Sequence, residues 1–207
     1  MLKMLFQNYQ CDKAYKHHYY EVYDEIFYPF KEKTIKFLEV GVFKGASTAA
    51  FDDYFSKGEI FGLDIFVRTK PEDLPVLQRD SVHWIKGDSM DGNIRESIKS
   101  KFGNTIEFDF ILDDGAHYPL SNELTFKNLF PLLKPGGIFI IEDVWPIDIM
   151  NENEIQHPWL RRFPDKYNKL AAEKFMNTLY NSGGLVKRFD LRKNEPDSYI
   201  ITIEKQN

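Results

Sequence analysis

Five short β-rich runs recur along the first two thirds of the chain, each followed by a turn or a stretch able to form a helix. No other feature limits the fold as much. The runs are Ile35 to Val40, Glu59 to Ile65, Val82 to Lys86, Phe108 to Leu112 and Gly137 to Ile141. Helices are predicted at 46–55, 92–101 and 121–133, with a turn-rich segment at 71–79. A strand that rejoins its sheet through a helix must cross over, so the sheet is predicted to be mainly parallel, with ligands gathering at the carboxyl ends of its strands. The last third reads differently. A helix over 165–181 stops at Gly183 and Gly184, and strands at 185–191 and 198–204 are joined by the turn-forming RKNEPD. That connection is short enough for an antiparallel hairpin at the sheet edge. The expected fold class is therefore α/β and Rossmann-like: seven mainly parallel strands, an antiparallel C-terminal hairpin strand, and helices on both faces.

A chain of 207 residues with 43% hydrophobic and 15% aromatic content suits one packed domain. The expected division is an N-terminal aromatic helical segment at 1–32, covering cofactor or substrate, and a main domain at 33–207. A net charge of -5 and a pI near 5.6 supply no general attraction to nucleic acid or anionic membrane. A small-molecule or glycan partner is expected instead, with no nucleic acid and no membrane; oligomeric state is left open. Cys11 is the sole cysteine, so no internal disulfide forms. The first residues lack a signal-peptide pattern, and no apolar run approaches the ~20 residues of a membrane span. A cytoplasmic location is the expectation.

The first strand runs into FLEVGVFKGASTAAF, where Gly41 and Gly45 bracket a tight turn before a helix. Absent side chains there would let a ligand approach the backbone. The spacing is E-x-G-x-x-x-G and not the dinucleotide fingerprint. Asp64 ends the next strand 23 residues after Gly41, close to the ~20-residue spacing of a carboxylate that accepts ribose hydroxyls. Asp88, in IKGDSMD, can cap a turn, and a carboxylate such as this also accepts well from an exocyclic amine. Glu39, in a buried strand, needs a partner such as a ligand ammonium.

Two neighbouring strands then end in acid, one at Asp113 and Asp114, the other at Glu142 and Asp143. Converging carboxylates raise one another's pKa values unless a cation intervenes. Oxygen ligands without a Cys or His pair favour a hard divalent ion such as Mg²⁺. Separate solvated strand ends are the alternative. His117 lies three residues after Asp114, placed as a general base; His83 and His157 lack such a setting and read as structural or surface residues.

The strand pattern with its reversed last strand resembles the class I S-adenosylmethionine (SAM)-dependent methyltransferases. The motifs DDGAHY, LLKPGGIFIIEDVW and CDKAYKHHYYEVYDEIF, in that family's order, resemble the metal-dependent sugar O-methyltransferases of macrolide biosynthesis, the mycinamicin type. The N-terminal pattern is matched by Asp12, Lys13, His17, Tyr19 and Tyr23. The resemblance implies SAM as cofactor, Mg²⁺ or another hard divalent cation on Asp114, Glu142 and Asp143, and His117 as base. Ala116 replaces the family's usual serine and Ala14 its usual glycine, which bears on loop shape and substrate fit. Members of the family often carry longer N-terminal regions.

The candidate cofactor residues are Lys13, Glu39, Gly41, Gly45, Ser47, Asp64, Asp88, Ser89 and Asp113, the last facing the cofactor or supporting the turn. Candidate acceptor residues are His17, Tyr23, Tyr118 and Trp145. Tyr19, Tyr23 and Phe27 recur at helical spacing and read first as a packing stripe. Residues 145–163 read as a loop over the acceptor or as a surface connection. The expected activity is methylation of a sugar hydroxyl. Rival readings are a catechol-type O-methyltransferase, a noncatalytic SAM-binding protein, and a relative of the cephalosporin hydroxylase-like proteins.

Overall fold

The computed structural model describes residues 1–206. Its strands are β1 (Lys36–Val40), β2 (Glu59–Asp64), β3 (Val82–Lys86), β4 (Phe108–Asp113), β5 (Leu133–Ile141), β6 (Leu185–Asp190) and β7 (Tyr199–Glu204). They form a sheet in the order β3-β2-β1-β4-β5-β7-β6. The first five strands pair in parallel and β7 runs antiparallel to both neighbours, as the sequence pattern predicts.

Alternate strand residues face opposite ways, and each face has its own helices. Phe37, Phe110, Leu112 and Ile140 point toward α1 (Leu2–Asn8), α3 (Tyr20–Phe27) and α4 (Ala46–Tyr54), while α2 (Asp12–Tyr15) links the first two of these helices. Leu38, Ile111, Phe139 and Ile141 point toward α5 (Ile94–Phe102) and α6 (Pro119–Leu129), with the longer C-terminal helix of Lys169–Tyr180 beside them. The N-terminal rings belong to this packing. Phe27 meets Phe37, Phe51, Phe55 and Phe110 edge-on, with centroids 5.0 to 5.9 Å apart.

Some boundaries differ from the sequence expectation, for local reasons. The helix predicted at 121–133 begins at Pro119, because proline's fixed φ and missing N–H suit the first helical position. It ends at Leu129 in a 3₁₀ turn containing Pro131, and β5 starts at Leu133, not Gly137. The helix predicted from 165 begins at Lys169, where the Asn168 side chain accepts from Ala171 N at 2.9 Å. Residues 145–163 hold two short helices, α7 (Glu152–Ile155) and α8 (Pro158–Arg162), before that longer helix, α9. Trp145, Ile147, Met150, Leu160 and Ala172 pack together beneath them, and Arg188 of β6 grips Asp148 at 2.7 and 3.0 Å.

The strand order reverses between β1 and β4, since β1 is followed by β2 on one side and flanked by β4 on the other. A crevice opens at the carboxyl ends of strands at such a reversal. Lys13, Asp64, Asp88, Asp114, His117 and Asp143 gather there.

Candidate active site

Register carries the ends of β4 and β5 to one level. Asp113 lies opposite Ile141, so Asp114 emerges beside Glu142 and Asp143. Backbone bonds hold both exits, Glu142 N to Asp113 O at 3.0 Å and Asp114 N to Val40 O at 3.0 Å. Each chain then turns through a left-handed residue, His117 at φ 60° and Asp143 at φ 51°. That conformation costs a residue with a Cβ about 1–2 kcal/mol and collects at functional sites. The result is convergence: one ligand atom each from Asp114, His117 and Asp143 lies within 4.8 Å of the others. His117 Nε2 stands 3.7 Å from Asp114 Oδ1 and 3.9 Å from Asp143 Oδ2.

Gly41 permits this arrangement from the neighbouring strand. Its φ is +91°, and a Cβ there would sit 2.0 Å from the Asp114 carbonyl oxygen. The β4 exit is pressed against this glycine, which also lines the cavity described below. Gly45 is confined in the same way, at φ +77° with a side-chain carbon of Val76 2.4 Å from any Cβ.

The N-terminal segment completes the acid cluster. Lys13 Nζ donates to Asp114 Oδ2 at 2.6 Å and to Glu142 Oε2 at 2.5 Å, with its side chain 3% exposed. Tyr23 donates its hydroxyl to Glu142, and Tyr19 donates to Asp143 Oδ1 at 2.5 Å. The aromatic stripe does pack, yet two of its hydroxyls reach the acids, as the amphipathic ring of tyrosine allows. His17 is buried against Ser198 Oγ at 2.9 Å, with Asp143 Oδ1 3.6 Å from the same ring nitrogen. Sequence reasoning missed Tyr19 as a polar partner and missed Ser198 altogether, for no motif links the N-terminus to the hairpin turn.

Charge and burial compete here. Burial pushes Glu142 well above the usual carboxylate range, although Lys13 pulls the other way. Burial likewise raises Asp114 against the pull of Lys13 and His117. For Asp143 burial raises the pKa, but His117, His17 and Lys13 outweigh it and the net direction is down. Burial favours the neutral amine of Lys13, and Asp114 and Glu142 more than reverse that.

A cavity of about 1090 Å³ adjoins the cluster. Lys13, Asp114, His117 and Asp143 line one end, and Gly41, Gly45, Ser47, Asp64, Asp88 and Ser89 line the rest. Asp64 accepts from Phe43 N at 2.9 Å and Phe66 N at 2.6 Å, which leaves lone pairs on both oxygens. Asp88 is exposed and accepts from Met90 N at 2.9 Å, while Ser89 bonds Thr125 at 2.7 Å.

Other candidates lie elsewhere. Glu39 is fully buried and takes Ser47 and Thr48 hydroxyls at 2.5 Å each, so the buried carboxylate has partners within the chain. Asp113 supports the turn, accepting from Gly115 N at 3.2 Å and Asn122 Nδ2 at 3.0 Å. Tyr118 precedes α6 with its hydroxyl on Met90 Sδ at 3.4 Å. Trp145 packs on His157 at a centroid distance of 4.9 Å and is 6% exposed. His17, Tyr23 and Glu142 are buried behind the cavity wall.

Solved structures share this architecture. MycE methyltransferase from the mycinamycin biosynthetic pathway, in complex with Mg and SAH, superposes with a TM-score of 0.72 at 23% identity, covering 100% of this chain and 55% of that one. The Methanococcus jannaschii fibrillarin pre-rRNA processing protein aligns with a TM-score of 0.62 at 19% identity over 85% of this chain and 68% of its own. The fold is that of a class I methyltransferase.

In sequence, this chain is similar to sugar O-methyltransferases. It is 31% identical over 130 residues to the mycinamicin VI 2''-O-methyltransferase of Micromonospora griseorubida, covering 59% of this chain and 30% of that protein. It is 28% identical over 136 residues to a tetracenomycin 3'-O-methyltransferase of Streptomyces olivaceus, covering 62% and 33%. The chain thus spans about a third of the length of these curated relatives. No family profile matches it. Among the described residues no helix is long and apolar enough to cross a membrane.

The donor set suits a hard divalent cation in part as expected. Asp114 and Asp143 offer carboxylate oxygens at a common point with His117 beside them. Glu142, the third ligand expected from the family resemblance, is turned to Lys13 and Tyr23 instead. Both Glu142 oxygens accept from protein donors, and Lys13 bridges it to Asp114.

Proposed function

We propose that this chain carries out SAM-dependent O-methylation of a sugar hydroxyl on a glycoside, nucleotide sugar or glycan, assisted by Mg²⁺ or a similar cation, with His117 as general base. One observation carries this reading: Asp114, His117 and Asp143 converge at one end of a cavity that is bounded elsewhere by the Gly41–Gly45 turn, Asp64 and Asp88. The relatives support it, being named for methylation of sugar hydroxyls, and the MycE structure carries Mg and SAH.

Asp64 would accept the ribose hydroxyls on its free lone pairs and Asp88 the adenine amine, fixing the sulfonium methyl relative to the acid cluster. Asp114 and Asp143 would hold the cation, which when bound makes a coordinated hydroxyl more acidic and orients a neighbouring one. Bound SAM would supply the methyl group and leave as S-adenosylhomocysteine (SAH), while His117 Nε2 would accept the proton of the acceptor hydroxyl. The imidazolium so formed lies between Asp114 and Asp143, whose charges stabilise it. Tyr19 and His17 hold Asp143 in place for that role.

The test is mass spectrometry of a glycoside, nucleotide-sugar and catechol panel incubated with SAM and Mg²⁺. A gain of one methylene on a sugar is the expected result, stopped by EDTA and restored by Mg²⁺. Tight SAM binding with no methylated product from any diol would overturn the activity, and full turnover in chelator would remove the metal from it.

A further inference from the structure

Lys13 sits where the chemistry gives it no step. Its amine bridges Asp114 and Glu142, two of the three acids expected to bind metal, and Glu142 is fully buried. Among the described residues Lys13 is the cation within 4.0 Å of Glu142, and the other oxygen receives the neutral Tyr23 hydroxyl. A buried carboxylate without counter-charge is costly. The ammonium therefore does for Glu142 what a bound cation would.

The two cations compete. A divalent ion on Asp114 and Asp143 would share Asp114 with the ammonium, and like charges on one carboxylate repel strongly away from water. Lys13 also has somewhere to go. It belongs to α2, a helix of only four residues, and it lines the cavity together with Cys11 and Asp12. Its flexible stem can turn into that space with little movement of the backbone.

We propose that Lys13 is a built-in counter-ion of the acid cluster, seated on Asp114 and Glu142 without metal and displaced into the cavity when a divalent cation binds. The inference rests on the metal reading above and adds a positioning residue to it: Glu142 becomes available to the cation only after Lys13 leaves. Metal affinity then contains the work of unseating one lysine.

Mn²⁺ binding, followed by the loss of the free-ion EPR signal, tests it on wild type, Lys13→Met and Asp114→Asn. Lys13→Met is expected to bind Mn²⁺ about tenfold tighter, and to melt lower without metal but recover on Mn²⁺ addition. Asp114→Asn is expected to lose binding. A residue of merely structural importance would weaken the site when removed, not tighten it. Should Lys13→Met fail to fold, wild type labelled with ¹⁵N at lysine decides. The protected Lys13 ammonium signal is expected to vanish or shift as Mg²⁺ is titrated. Unchanged or weaker Mn²⁺ binding by folded Lys13→Met, or an ammonium signal unmoved at saturating Mg²⁺, overturns the inference while leaving the metal reading standing. Wild type that binds no Mn²⁺ overturns both.

Discussion

Substituting alanine at Gly41 asks how tightly the glycine turn and the β4 exit are interlocked. The added Cβ would lie 2.0 Å from the Asp114 carbonyl oxygen and 2.8 Å from its carbon. Real Cβ atoms essentially never approach other heavy atoms closer than 3.0 Å, so one backbone must move by about 1 Å. The φ of +91° adds roughly 1–2 kcal/mol of conformational cost for a residue with a Cβ. Forced repacking adds about 1–3 kcal/mol. The sum is about 2–5 kcal/mol, a drop in Tm on the order of 10 °C for a domain of this size. Because the backbone that moves carries Asp114, kcat should also fall about 10²-fold. Gly136→Ala is the internal control. It has φ +74° with nothing within 4 Å of the new Cβ, so it should show the conformational cost alone. Thermal melts by circular dichroism give the first quantity, and methyl-transfer rates taken well below either Tm give the second. If Gly41→Ala is no less stable than Gly136→Ala, or keeps its full kcat, the interlocking argument is wrong.

His117→Ala should lower kcat by about 10²–10⁴ while SAH affinity, measured by calorimetry, stays within about threefold of wild type; unaltered turnover would exclude His117 as the base. Burial pushes Glu39 up to about 7 from 4.5, with Lys13, Ser47 and Thr48 opposing. Between those values the folded chain holds a proton that the unfolded chain has lost, so this group's contribution to stability falls as pH rises. Urea melts should therefore show Glu39→Gln gaining on wild type from pH 5 to pH 7, and a flat or declining difference would count against a raised Glu39. Asn168→Ala removes the cap of α9 and should cost about 1 kcal/mol, visible as a lower urea midpoint with the slope and the methyl-transfer rate unchanged.

How much of this was legible in one dimension depends on the range of the force involved. Strand and helix positions follow from side-chain periodicity, a consequence of backbone geometry over a few residues, so the alternation was enough to assign a parallel sheet and a reversed last strand. Asp114 and His117 are three residues apart, and Asp143 joined them on paper because parallel neighbours end level with one another. The boundaries that shifted did so where prolines at 119 and 131 set the start and stop of a helix, effects of one or two residues that periodicity averages away. The contact between Gly41 and the β4 exit was not legible, because it comes from Asp114, 73 residues along the chain.

The sequence alone thus determined which side chains could do chemistry and which sheet edge would collect them. Which carboxylate faces the cavity and which is spent on an internal cation was decided in three dimensions. Lys13 meets Asp114 across 101 residues and Glu142 across 129, and His17 meets Ser198 across 181. No spacing rule reaches so far. Those pairings exist because the N-terminal rings bury against Phe37, Phe51 and Phe110, and hydrophobic burial, which is blind to sequence separation, carries the polar groups of the same segment onto the acids.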